Sequence, residues 1–126
     1  PVSGEPRPPA PADGRLPPPV AGVFAAVCLG LVGFSLCYTA ISLLQLPVWT
    51  YFPREQEFQW VGPAGAEPMR YYGQTAEALL AGLLLGAPAG GLARRGLTGR
   101  TARLLLAWTV TAAAVHIAGQ VWLNWP

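Results

Sequence analysis

The sequence predicts an all-α integral membrane protein with three transmembrane helices, amino terminus in and carboxyl terminus out. Three observations carry that prediction. The chain has 126 residues, of which 52% are hydrophobic and 11% charged, whereas an average soluble domain is roughly 25% charged. The apolar residues gather into three blocks near 20 residues or longer, each enough to cross a hydrocarbon core. The basic residues, all arginine, are placed unevenly between the blocks.

Residues 1–19 hold eight of the fourteen prolines and read as a disordered, polyproline-like cytoplasmic tail. A PxxP ligand is an alternative reading of Pro6 to Pro11, although any proline-rich tail contains that pattern by chance. The first residue is Pro1 and no A-x-A site follows the first apolar block. The expectation is an unprocessed chain that has lost its initiator methionine.

The first span covers about residues 20–46 and has no charge over 27 residues. Pro47 ends it, and Trp49, Tyr51 and Phe52 follow as interfacial anchors. An outer loop over 47–73 carries Glu55, Glu57 and Glu67, together with Phe58, Trp60, Met69 and prolines 53, 63 and 68. It reads as a partly ordered, amphipathic cap. The second span, about 74–93, has Glu77 as its only charge, with Tyr71 and Tyr72 just before it. A cytoplasmic loop at 94–103 leads to the third span, about 104–125, which contains His116 and is bounded by Trp108, Trp122 and Trp125.

Orientation follows from arginine placement. Arg7, Arg15, Arg94, Arg95, Arg100 and Arg103 fall on one side, Arg54 and Arg70 on the other. The positive-inside rule puts the six in the cytoplasm. The expected location is the bacterial inner (cytoplasmic) membrane, multi-pass.

Close helix approach in lipid depends on small residues. Gly82, Gly86 and Gly90 form two overlapping GxxxG units, extended by Ala78. The first span offers Gly22, Ala26 and Gly30, drifting into Gly33, Cys37 and Ala40. These faces pack on each other, or one of them receives a neighbouring subunit. Pro88 is expected to kink or thin the second helix.

The net charge of +2, with no Lys/Arg tract alternating with aromatics, gives no reason to expect a nucleic-acid partner. Cys28 and Cys37 are nine residues apart, on opposite sides of one helix, so they neither pair nor share a metal. No metal-ligand cluster, phosphate loop or pair of carboxylates on one face is present, and a lone His makes no nucleophile–base pair. The chain is therefore not expected to be an enzyme in itself.

The polar residues that remain are few. Ala112, His116, Gln120 and Asn124 recur at i+4 steps, with Thr109 nearby. Polar groups at membrane depth face protein, cofactor or water rather than lipid. Glu77 enters from the same side at a depth near Gln120. A Glu77–Gln120 or Glu77–His116 hydrogen bond would make a structural clasp between helices two and three. The other readings are axial ligation of haem or bacteriochlorophyll by His116, and a quinone or proton site at Glu77.

The stretch Ala112 to Trp125 resembles the membrane helix of bacterial light-harvesting β polypeptides. Ala112, His116, Trp122 and Trp125 match that family's alanine, pigment-ligating histidine and two following aromatics in spacing and direction. The likeness covers about 15 of 126 residues. It implies His116 as a bacteriochlorophyll ligand, with Trp122 and Trp125 beside the pigment. Family members have one span, and the Arg-Pro commonly found between the aromatics is Leu123-Asn124 here.

The expected function is that of a small, non-catalytic accessory subunit of a larger bioenergetic membrane complex, respiratory or photosynthetic. It would meet other membrane subunits and lipid through the Gly82, Gly86 and Gly90 face and through the outer cap.

Overall fold

The computed structural model describes residues 14–62 and 70–125. The proline-rich tail up to Asp13, with Arg7, and Pro63, Glu67, Pro68 and Met69 of the outer loop lie outside the described residues. Three helices, α1 (Pro18–Leu44), α2 (Arg70–Ala93) and α3 (Gly99–Asn124), are long and apolar enough to cross a membrane. They run up, down and up. An antiparallel hairpin of β1 (Val48–Phe52) and β2 (Glu57–Val61) joins α1 to α2.

Pro18 and Pro19 open α1, where a missing N–H costs nothing and the fixed φ already suits a helix. The helix stops at Leu44, two residues before the expected end. Gln45 adopts the left-handed conformation (φ 52°, ψ 42°), and its N–H caps Ile41 O. Pro47 disfavours helical geometry at the residue before it, which explains the early stop. Helix α2 starts at Arg70, ahead of the expected 74, because Tyr71 and Tyr72 continue its first turn. It passes through Pro88 to Ala93. Helix α3 starts at Gly99 rather than 104. The Thr98 hydroxyl accepts from Thr101 N at 3.3 Å, which sets the start one turn early.

Within the outer loop expected over 47–73 as a partly ordered, amphipathic cap, residues 48–61 form this hairpin, which the sequence reading did not specify. Its register pairs Trp49 with Trp60 and Tyr51 with Phe58 on one face, with ring centroids 5.6 and 4.9 Å apart. Such cross-strand aromatic pairs stabilise a sheet by several tenths of a kcal/mol or more, up to about 1 kcal/mol. The turn Pro53–Gln56 closes with Gln56 at φ 55°. On the opposite face Val48 and Thr50 are fully buried. The strand lies so close to α2 that a Cβ on Gly73 would overlap the Trp49 carbonyl.

At the other end, Gly14–Leu16 pairs with the α2–α3 connection. Leu16 N donates to Leu97 O and Gly99 N to Gly14 O, both at 3.1 Å. Leu97 is buried beneath that pairing.

Helix α1 sits between the other two. It packs antiparallel to α2 and parallel to α3, while α2 and α3 hardly touch. The buried set is small in volume: Ala21, Ala25, Cys28, Ala78 and Ala112 recur in it. The result is an open layer of three helices rather than a closed bundle.

Candidate functional site

The two small-residue stripes meet inside the chain. A Cβ built on Gly86 would stand 2.6 Å from Ala26 O, on Gly82 2.7 Å from Gly30 O, and on Gly90 2.9 Å from Gly22 O. Of the two possibilities left open by the sequence, α1 therefore occupies the glycine face of α2. Contacts with another subunit would fall on other faces.

Thr109, His116 and Gln120 of α3 point at α1. Thr109 Oγ1 donates to Leu105 O of its own helix at 2.8 Å and lies 3.3 Å from Cys28 O as a second acceptor, Thr39 Oγ1 and His116 Nδ1 share a bond of 3.1 Å, and Gln120 Nε2 donates to Ser42 Oγ at 3.3 Å. The His116 ring stands edge-on to Tyr38 (5.1 Å) and Phe34 (6.1 Å). Glu77 does something different from the clasp anticipated between helices two and three. Its Oε1 accepts from the Trp49 backbone N at 2.9 Å and ties the hairpin to α2. The bonds described for His116 and Gln120 run to α1 because α1, the middle helix, is what α3 packs against. The Asn124 side chain lies outside the described residues.

The four residues of the light-harvesting resemblance divide between two faces. Ala112 is 8% exposed and lies with His116 in the α1–α3 seam, whereas Trp122 is 81% and Trp125 75% exposed. If a pigment or haem bound His116, Nε2 would be the nitrogen left for it, since Nδ1 is engaged by Thr39. Among the described residues no three His, Cys, Asp or Glu side chains come together to hold a metal ion.

Two depressions flank the hairpin end. An apolar groove of about 490 Å³ is lined by Trp49, Tyr51, Phe58, Tyr72, Gly73 and Glu77, with Ala76 and Leu80. A cleft of about 310 Å³ lies where α1 and α3 end and α2 begins. Its walls are Tyr38, Ser42, Gln45, Arg70, Gln74 and Gln120, with Tyr71 and Leu123 at the rim. Gln74 Nε2 reaches both Tyr38 O (3.1 Å) and Ser42 Oγ, so Ser42 accepts from two helices at once.

Sequence reasoning found His116 and Gln120 but missed their partners Thr39 and Ser42, and missed Gln74 and Arg70. A signal was present: Ser35, Tyr38, Thr39 and Ser42 follow helical spacing along one face of α1. No protein-family model, curated protein or solved structure matches this chain.

Proposed function

We propose that the chain is a small, non-catalytic accessory subunit of a larger membrane complex. The openness of the three-helix layer carries this reading. Among the helices, α3 rests almost entirely on α1, and its outward face presents Leu104, Trp108, Val115 and Trp122. Lipid supplies no drive that would leave a third helix held along so narrow a seam, so a neighbouring subunit covering that face accounts for its retention. The arginine distribution supports an orientation with the α2–α3 connection in the cytoplasm, and a bioenergetic complex of a bacterial inner membrane is the setting we propose.

The test is cross-linking in native membranes. A photoreactive side chain at Val115 should give a discrete heterologous adduct, and the same group at Arg54, on the hairpin turn, should not. Gentle solubilisation that yields only monomer, with no adduct at Val115, would falsify the proposal.

One bond favours a second reading, axial ligation by His116. In the tautomer whose Nδ1 donates to Thr39 Oγ1, Nε2 keeps its lone pair, the arrangement that orients a metal-ligating imidazole. It predicts a haem or bacteriochlorophyll absorption band in the native complex that is lost in His116→Ala; an unchanged spectrum removes it.

A further inference from the structure

The cleft at the hairpin end is lined by a cation whose donors the fold uses only in part. Among the described residues Arg70 is the only charged one lining it, and no Asp or Glu does. The acid nearest along α2, Glu77, borders the apolar groove instead and accepts from Trp49 N.

Four backbone carbonyls and one hydroxyl beside this cleft are already engaged. Ile41 O takes the N–H groups of Gln45 and Leu46. Ser42 O takes Gln45 Nε2 at 2.6 Å, and Leu46 O takes Arg70 Nη2 at 2.9 Å. Tyr38 O takes Gln74, and Ser42 Oγ takes both Gln74 and Gln120. Each of these bonds uses a donor on an acceptor of the protein itself, and Arg70 still has one nitrogen over. Its Nη1 is buried without a hydrogen-bond partner. A guanidinium nitrogen shut away from water without an acceptor is costly, and an anion reaching it would supply the missing acceptor.

Position narrows the ligand. The cleft lies at the ends of three helices long enough to span a membrane, where Trp49, Tyr71, Tyr72 and Trp122 are exposed as interfacial aromatics would be. Lipid phosphates lie at that level. A volume of about 310 Å³ is at the lower limit of small-molecule sites, roughly 300–1,000 Å³. It suits a headgroup and excludes a tetrapyrrole.

We propose that this cleft binds an anionic phosphate group, with the Arg70 guanidinium as its counter-charge and Gln45 and Tyr71 at its edge. The shared chemistry is an anionic phosphate, offered either by an anionic phospholipid at the membrane surface or by a free phosphate.

Titration of the purified chain in non-ionic detergent, read by native mass spectrometry, tests this. The probes are phosphatidylglycerol, phosphatidylcholine and inorganic phosphate. One saturable phosphatidylglycerol should bind at least about tenfold more tightly than phosphatidylcholine, since the latter carries no net charge. Arg70→Gln should weaken that site by about tenfold or more, and Arg94→Gln, at the opposite end, should leave it within about twofold. Competition by inorganic phosphate identifies a free anion as sufficient, and its failure to compete identifies the lipid; either result supports the proposal.

Arg70 also caps Leu46 O, so Arg70→Gln could unfold the end of α1. Ser42→Glu then carries the test, because it places a carboxylate in the cleft while leaving Arg70 intact, and it should abolish the site. Equal binding of the two lipids, or wild-type binding in folded Arg70→Gln or in Ser42→Glu, would overturn the proposal.

Discussion

The two seams on either side of α1 are held by different physics. Against α2, α1 presents Gly22, Ala26 and Gly30 to Gly90, Gly86 and Gly82, and backbone meets backbone. Against α3 it presents Cys28 O, Thr39 and Ser42 to Thr109, His116 and Gln120. The first seam depends on side chains being absent and the second on side chains reaching across. A glycine seam tolerates no added volume, because there is nowhere for it to go. A polar seam tolerates changes of volume better and suffers when a partner is deleted. The glycine seam is also the closer-fitting of the two, and it anchors the helix that carries the hairpin.

Gly86→Leu should therefore produce the largest effect. Its Cβ would lie 2.6 Å from Ala26 O, and the flanking contacts are the Gly30 Cα at 3.2 Å and N at 3.3 Å, all backbone. Backbone does not rotate aside, so α1 and α2 must separate. The loss should be about 3 kcal/mol or more, at the upper end for overpacking. Reversible unfolding in bicelles, read by steric trapping, measures it. A loss below about 1 kcal/mol would mean that the seam gives way easily.

In the polar seam, Thr39 and His116 should be coupled. Thr39→Val and His116→Leu, alone and together, close a double-mutant cycle. The coupling should be about 0.6 kcal/mol and no more than about 1.7 kcal/mol, the range measured for hydrogen bonds between membrane helices. A zero coupling would place the stability of this seam in the packing around Ala112 and the His116 ring, and would reduce the contrast with the glycine seam to one of closeness.

These seams also show what sequence can reveal. The three spans were readable because an apolar run of about 20 residues with at most one charge has few other outcomes in water or lipid. The glycine stripes on both helices were readable as contact faces, but a stripe carries no address, so their mutual packing needed coordinates. His116 and Gln120 were visible as polar residues at membrane depth. Their partners were not, because Thr39 and Ser42 are common in apolar helices, where each can bond to its own backbone. The hairpin was missed for another reason. Trp49 and Tyr51, then Phe58 and Trp60, alternate as strand residues do, yet beside a membrane span the same aromatics read as an interfacial belt.

The hairpin gives the third prediction, a local one. Glu77→Ala removes the acceptor for Trp49 N. One hydrogen bond is worth about 1 kcal/mol, so amide exchange over Val48–Phe52 should speed up about fivefold. Exchange in the α1–α2 seam should stay unchanged. If exchange rises there as well, Glu77 supports the seam in addition to the hairpin.

The smallest effect should come from Gly91→Ala, next to a seam glycine on the same helix. Nothing lies within 4 Å of a Cβ built at Gly91, whereas at Gly90 the Ala26 Cβ and Gly22 O stand 2.9 Å away. Alanine at 91 restricts the unfolded chain and meets no neighbour, so stability should rise by a few tenths of a kcal/mol, up to about 1 kcal/mol. Gly90→Ala should lower it. Two adjacent glycines with opposite responses would separate the contact role of glycine from its intrinsic cost in a helix. A gain at both positions would show that α1 and α2 are free to move apart near the arginine end. In that case the close fit around Gly82 and Gly86 would hold the pair together alone.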